Sequence, residues 1–461
     1  MVRMRRGVAA VASIAVAAAS TGAFIVARPT LSAAESVALV VLAFAAWATA
    51  VVTARGLTDP RFAVGVIAIL LLVAVLTPPR QSHDLWGYAE YGRLVSAHGV
   101  SPYNEVPAAF PHDPLLGHMG SGYRATRSPY GPVFTGVSAV GTALTGPATF
   151  PTRIFFQGVE ALAVAIALIL LWRRTRRVDA LVWVGLSPLL AISVVNGGHN
   201  DGLVALGILG ALLLATDRRP IAAGVVLGVA VLIKLPVALA LGGLVLWIWR
   251  GRNDGRAAFR AAVSGSVVVA AGYLVAGLNA LEAIGDSGDL ISRSSVWTPV
   301  HDLVSDGGRA GSFGALPTIA VGGVLVLALL LAFAWSRDAA PEPSTAGASS
   351  AFAFAGGYVL PWYAAWGLPA FGARRPPPLA WLIAAQGAVL LVAYQLPHHA
   401  SSRANGLFVH RVVTDVAPVL LLMAVIVLAM RELTSSSPGS SRLRFARGRP
   451  GARTDRSGAA R

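Results

Sequence analysis

No cysteine occurs among the 461 residues. That excludes disulfides, thiolate metal centres and cysteine nucleophiles. Charge is scarce too: 13% of residues are Asp, Glu, Lys or Arg, against about a quarter in a soluble protein of ordinary composition. Lysine is reduced to one residue, Lys234, so arginine fills the rest of the 37 basic positions, facing 21 acids. No long stretch has the charge density of a separate soluble domain. No internal repeat stands out, which weighs against a transporter built from inverted halves. What is abundant is apolar sequence, 55% of the residues, with a mean hydropathy of +0.67. Its runs repeatedly approach the roughly 20 residues of a helical crossing. The chain therefore reads as an all-α, polytopic integral membrane protein. Its net charge of +16 fits topology signals facing an anionic leaflet better than nucleic-acid binding.

Crossings are expected at about 7–26, 35–53, 62–77, 152–172, 179–195, 202–216, 221–233, 237–249, 258–276, 316–335, 346–361, 379–396 and 412–430, with a short return at 362–371. The first has a basic leader and small residues beyond it, as a cleaved signal would. Further spans follow without a soluble region, so a retained helix is expected. The glycine-rich run 130–145 is read as re-entrant or interfacial. Counting it as a crossing would put Arg173, Arg174, Arg176 and Arg177 outside, against the positive-inside rule. The expectation is about 13 or 14 helices with both termini cytoplasmic. Residues 1–430 would form the membrane domain and 431–461 a disordered, lipid-facing basic tail. Residues 339–350 read as a Pro/Ser/Ala connector. All nine histidines (His83, His98, His112, His118, His199, His301, His398, His399 and His410) then fall on the outer side. The polar chemistry is expected there.

The densest polar stretch is His83-Asp84-Leu85-Trp86-Gly87-Tyr88-Ala89-Glu90-Tyr91-Gly92-Arg93, just after an apolar span. A helix after Ser82 puts Asp84, Tyr88 and Tyr91 on one face and Trp86, Glu90 and Arg93 on another. An acid at that place either satisfies the helix N-terminus or serves as a general base at the membrane interface. Trp86, Tyr88 and Tyr91 fit an interfacial belt better than a sugar platform. Farther on, Ser101-Pro102-Tyr103 and Arg127-Ser128-Pro129-Tyr130-Gly131-Pro132 mark turns. Arg124 and Arg127 suit phosphate or lipid headgroups. In Asn196-Gly197-Gly198-His199-Asn200-Asp201-Gly202 the adjacent His, Asn and Asp suit sugar hydroxyls, and less readily a divalent metal, since three neighbours do not easily ligate one ion. Lys234, in Ile233-Lys234-Leu235-Pro236, either snorkels or is an ammonium reserved for phosphate. Tyr358 to Pro369 breaks a helix with Trp362, Tyr363 and Trp366 around the break.

In this order the motifs resemble the polytopic glycosyltransferases of the GT-C class, most closely the polyprenol-phosphate-mannose-dependent mannosyltransferases of lipomannan-type envelope glycans. The resemblance rests on Asp84 with Tyr88 and Gly92-Arg93, Ser101-Pro102-Tyr103, Ser128 to Pro132, Gly198 to Asp201, Lys234-Leu235-Pro236 and Leu360 to Tyr363. It implies an inverting transferase that moves mannose from a polyprenyl-phosphate donor to an envelope glycolipid or glycan on the extracytoplasmic side. Asp84 matches the position of the base in the first outer loop. Where some relatives have paired acids, His83 precedes a single Asp here. Lys234 and Arg127 become candidates for the phosphate. His199, Asn200 and Asp201 become candidates for sugar or phosphate, and Tyr88, Arg93, Tyr103, Tyr130, Trp362 and Tyr363 for further substrate contacts. No cofactor is expected beyond a possible divalent metal; the expected partners are donor, acceptor and membrane lipid. Another polyprenyl-phosphate sugar, such as arabinose, fits the same fold. A transporter or lipid flippase is the rival class.

Overall fold

The computed structural model describes residues 2–286, 291–301, 316–396 and 411–435. Its helices are α1 (Val2–Ala27), α2 (Ala33–Thr53), α3 (Arg61–Leu76), α4 (Asp84–Ser96), α5 (Pro132–Thr145), α6 (Thr149–Thr175), α7 (Val178–Gly185), α8 (Asp201–Thr216), α9 (Pro220–Val231), α10 (Ala238–Gly251), α11 (Gly255–Ala276), α12 (Asn279–Asp286), α13 (Leu316–Ala334), α14 (Glu342–Ala355), α15 (Pro378–Gln395) and α16 (Ala417–Ser435). No strand is present among the described residues. The chain is a multi-pass membrane protein.

Seven helices among the described residues are long and apolar enough to cross a membrane, or eight if one bent pair is a single span. That is fewer than the 13 or 14 expected, because five other apolar helices have only 10–17 residues. At 1.5 Å per residue these fall short of a hydrocarbon layer about 30 Å thick unless neighbouring segments extend them. One of them is α5, the run expected to be re-entrant. Large apolar side chains such as Leu72, Leu325, Leu329 and Phe333 cover the outer surface, as suits contact with lipid tails.

The bent pair positions the site. α7 meets the π-helical segment Leu189–Asn196 at 51°. Pro188 begins the second arm; it has no amide to donate, and its ring crowds the carbonyl one turn back. Broken helices survive in a membrane only where protein buries the freed groups, and here every residue from Val178 to Asp201 is buried. Trp47 of α2 donates its indole N–H to the carbonyls of Val182 (3.2 Å) and Trp183 (3.1 Å). The Trp183 indole donates to the Leu368 carbonyl at 2.7 Å.

Two local expectations change. Residues 339–350 are mostly not a connector but the buried first half of α14. Their small side chains let helices approach closely, and Ser344 Oγ donates to the carbonyls of Gly243 (3.0 Å) and Ala332 (2.9 Å). Tyr88, Tyr91, Trp362 and Trp366 do not form an interfacial belt: all are buried, with exposures of 1%, 4%, 2% and 0%. His398, His399, His410 and the tail beyond Ser435 lie outside the described residues.

Candidate active site

Asp84 opens α4, as the sequence predicted, and its amide donates to Ser82 Oγ at 3.0 Å. Its side chain keeps 26% exposure while its neighbours are sealed. Tyr88, one turn on, lies edge-on to the rings of Tyr130 and Phe134, each centroid 4.8 Å away.

Opposite Asp84 comes the turn between the π-helical segment and α8. Gly198 has φ +66°, and a Cβ there would lie 2.6 Å from Leu85 Cδ1. Only glycine adopts this conformation readily and lets the turn press against the start of α4. His199, 1% exposed, is fixed on three sides. Its Nδ1 is bonded to the Ser193 carbonyl. Its ring stacks on Trp362 at 3.6 Å and 15°. Its Nε2 faces Asp84 Oδ2 at 3.6 Å, too far for a hydrogen bond. Asn200 is wholly buried beside it, with neither end of its amide hydrogen-bonded among the described residues.

Asp201, the first residue of α8, forms the second half of the site. Its Oδ1 accepts from Lys234 Nζ at 2.8 Å and from the Trp366 indole N–H. The Lys234 ammonium lies 4.8 Å from the Tyr363 ring centroid and 5.8 Å from that of Trp366. At 9% exposure Lys234 does not snorkel; a carboxylate and two aromatic faces compensate its charge. The Ser128–Pro132 motif reaches the same corner: the Gly131 amide donates to the Ile233 carbonyl at 3.1 Å. A Cβ on Gly131 would stand 2.2 Å from the Leu232 oxygen, so this approach requires glycine.

Burial raises the phenol pKa of Tyr88, Tyr130, Tyr358 and Tyr363, and the Asp84 charge adds to the effect at all four. These phenols stay protonated and can donate to sugar or phosphate oxygens. Burial also holds the His199 imidazole below its ordinary pKa, although Asp84, the Ser193 carbonyl and Asp201 pull the other way. Among the described residues no three His, Asp or Glu side chains converge as metal ligands. The site is thus a half-open carboxylate against an immobilised imidazole, walled by aromatics, next to a buried ion pair.

A family model described as alpha-(1->6)-mannopyranosyltransferase, N-terminal domain, matches residues 4–251, more than half of the chain. The chain belongs to this family. Alpha-(1->6)-mannopyranosyltransferase A of Mycobacterium tuberculosis is 26% identical over 340 residues, covering 67% of this chain and 65% of that protein. The protein of the same name from Corynebacterium glutamicum is 27% identical over 188 residues, covering 39% and 37%. A probable alpha-(1->6)-mannopyranosyltransferase of Mycolicibacterium smegmatis is 28% identical over 221 residues, covering 38% of each chain. The chain thus spans from over a third to just under two thirds of the length of these curated relatives. No solved structure matches it. The region matched to the mannopyranosyltransferase family contains Asp84, His199, Asp201 and Lys234; Trp362, Tyr363 and Trp366 lie beyond it.

Not every expected site residue joins this cluster. Arg93 Nε donates to both Asp113 oxygens, at 2.8 Å each, and His98 Nε2 lies 2.7 Å from Asp113 Oδ2. Arg93 therefore braces the loop between α4 and α5. Burial favours a neutral Asp113, but Arg93, the Leu115 amide and His98 outweigh it and hold the carboxyl below its ordinary value. Tyr103 donates its hydroxyl to the Tyr130 carbonyl at 2.9 Å and contacts Thr135 Oγ1 at 2.8 Å, so it steadies Tyr130 from behind. Arg127 lies 3.7 Å from Glu282 of α12. Of the expected residues, His199 faces Asp84 with Trp362 stacked on its ring, and the Asp84 charge acts on Tyr88; those around Lys234 are Asp201, Tyr363 and Trp366.

Sequence reading missed Gln157. Its Nε2 donates to the carbonyls of Ala74 (3.1 Å), Thr77 (3.0 Å) and Asn196 (2.7 Å), tying the end of α3 to the π-helical segment. A signal was present: Arg153, Gln157 and Glu160 recur at helical spacing in an apolar span. Glu160 is buried, and its Oε2 accepts from the Leu203 amide at 3.2 Å, inside the first turn of α8.

Proposed function

We propose that this protein transfers mannose from a polyprenyl-phosphate donor to an α-(1→6)-linked mannan or glycolipid acceptor, with inversion, on the extracytoplasmic face. The observation that carries the reading is Asp84: a half-open carboxylate in an otherwise buried, aromatic-walled cluster, in a chain of this family. The acceptor hydroxyl oxygen bonds to the anomeric carbon as the bond from that carbon to the phosphate oxygen breaks. The electron pair leaves with the polyprenyl phosphate, and the hydroxyl proton passes to Asp84. Phosphate is already a good leaving group, so a base and cations for the departing charge suffice.

Two features favour a lipid-linked donor. An apolar groove of about 460 Å³ is lined by Val231, Leu235, Leu241, Val269 and Tyr273. Val231 and Leu235 bracket Lys234 in sequence, so an isoprenoid tail in the groove would hold its phosphate near that cation. Lys234 remains the first candidate for the phosphate, its charge shared with Asp201; Arg127, in the loop before α5, is the second. The aromatic faces of Trp362 and Tyr363 suit a pyranose ring.

The charge pattern of α6 supports the sidedness. Gln157 and Glu160 lie at the site end, whereas Arg173 and Arg174 close its last turn, about 20–25 Å away at 1.5 Å per residue. Arginine clusters favour the cytoplasm, which supports an extracytoplasmic site; both termini are read as cytoplasmic. The test is transfer of labelled mannose from polyprenyl-phosphate mannose in membranes, with linkage analysis of the product. Asp84→Asn is expected to lose at least about 100-fold in rate, the lower range for a general base. Full transfer by a normally abundant Asp84→Asn protein overturns the assignment. Equal use of an arabinose donor in competition overturns the sugar.

A further inference from the structure

We infer that His199 is the positioning and proton-sharing partner of Asp84, so that the base is a carboxylate–imidazole pair rather than a lone carboxylate. The inference rests on reading Asp84 as the base of the proposed transfer.

Its foundation is the tautomer that the surroundings impose. Nδ1 is bonded to the Ser193 carbonyl, which can only accept, so Nδ1 must carry a hydrogen. In a neutral ring Nε2 then presents a lone pair. That lone pair faces Asp84 Oδ2 at 3.6 Å, and no protein donor among the described residues bonds Nε2. Two acceptors face one another with nothing to share until a proton arrives. A proton taken by Asp84 converts the repulsion into attraction, since Nε2 accepts it or shares it. Closing the gap to hydrogen-bond length needs a movement of under about 1 Å, which the half-open Asp84 side chain can make.

The ring itself has nowhere to go. It is stacked on Trp362 at 3.6 Å, held at Nδ1, and carried on a turn that Gly198 presses against Leu85. An imidazolium formed there keeps its Nδ1–H on the Ser193 carbonyl and lies on an indole face, which favours a cation. The charged groups facing the imidazole are Asp84 on α4, Asp201 on α8 and Lys234 between α9 and α10; the two acids favour the imidazolium and Lys234 opposes it.

The proton balance is closed. The acceptor hydroxyl gives its proton to Asp84, the proton settles between Oδ2 and Nε2, and the phosphate departs with its electron pair. After product release, the proton leaves through the exposed edge of Asp84. The pair before turnover is proton-free, and after turnover it holds one proton.

The test uses the full chain in nanodiscs with ¹⁵N-labelled histidine, and His199→Gln or His199→Asn assigns the resonance. Nδ1 is expected to stay protonated while Nε2 titrates, and Asp84→Asn is expected to lower the Nε2 midpoint by at least about one pH unit. In parallel, pH–rate profiles are measured with polyprenyl-phosphate mannose. His199→Gln is expected to lower kcat at least tenfold, to leave KM within about threefold, and to move the acidic limb to lower pH, because a glutamine N–H donates to the carboxylate at every pH. An Nε2 midpoint indifferent to Asp84→Asn overturns the pairing. So does a His199→Gln protein with the parental kcat and acidic limb. If the parental protein transfers no mannose at all, the donor reading fails, while the titration still decides whether the two side chains share a proton.

Discussion

Replacing Lys234 by methionine is expected to leave the Asp201 carboxylate, which is 0% exposed, without its counter-charge. The Nζ–Oδ1 separation is 2.8 Å, which at an effective dielectric of 20 corresponds to an attraction of about 6 kcal/mol before desolvation. Breaking a buried pair by removing one partner costs about 3–5 kcal/mol in practice. The Trp366 indole stays on the same oxygen, so the lower half of that range is expected for Lys234→Met. Asp201→Asn in the same chain removes the orphaned charge, and the double variant is expected to recover at least half of the loss. Intrinsic fluorescence during denaturant unfolding in detergent measures all four corners of the cycle, with a coupling of about 2 kcal/mol or more expected. The reasoning fails if Lys234→Met unfolds within about 0.5 kcal/mol of the parent, or if the double variant is no better than the single one.

Further outcomes follow from the geometry. Gly198→Ala forces a Cβ onto φ +66° and to within 2.6 Å of Leu85 Cδ1; about 1–2 kcal/mol of backbone strain should move His199 and depress transfer more than it depresses abundance in membranes. Glu90 is buried near Asp113, and burial first, then the Asp113 charge, pushes its carboxyl from 4.5 up to about 8. The folded chain holds this proton where the unfolded chain has lost it. Its contribution is therefore complete below about pH 4.5 and lost as pH rises through about 8. Glu90→Gln should flatten that fall in a pH series of unfolding midpoints, and an unchanged slope would remove Glu90 as its source.

Much of the local structure was legible because it depends on neighbours in sequence. The charge-free run before Thr77 gives α3, and α4 opens on Asp84 with Tyr88 and Tyr91 on its face. Pairing across the chain was not legible. Asp84 meets His199 and Asp201 meets Lys234 only after the helices pack. Arg93 fitted a substrate-binding role equally well until Asp113, 20 residues on, was found to hold it. Hydropathy also misled where polarity is small: the serines and threonine of α14 read as a connector, yet all are buried, and Ser344, Ser349 and Ser350 bond backbone carbonyls in the interior. The aromatics misled in the opposite sense. A tryptophan at a helix break suits the interface, and only the ring of His199 shows that Trp362 serves as a wall.

The two pairs solve one problem in different ways. A site inside a bundle of apolar helices must hold ionisable groups where hydration is scarce, and an uncompensated charge there costs several kcal/mol. Asp201 and Lys234 meet that cost by mutual neutralisation, with Trp366 and Tyr363 closing the remaining faces. Such a pair is static: each charge is already held by the other at hydrogen-bond distance. Asp84 and His199 are left 3.6 Å apart and unbonded, with the acid open to solvent on one edge. An acid–imidazole contact that was already satisfied would have nothing to gain from a substrate proton. The break at Pro188, the π-helical segment and the left-handed Gly198 together set that gap. The irregular backbone at this depth of the bundle thus has a chemical consequence: it holds an imidazole at a distance that one transferred proton would close.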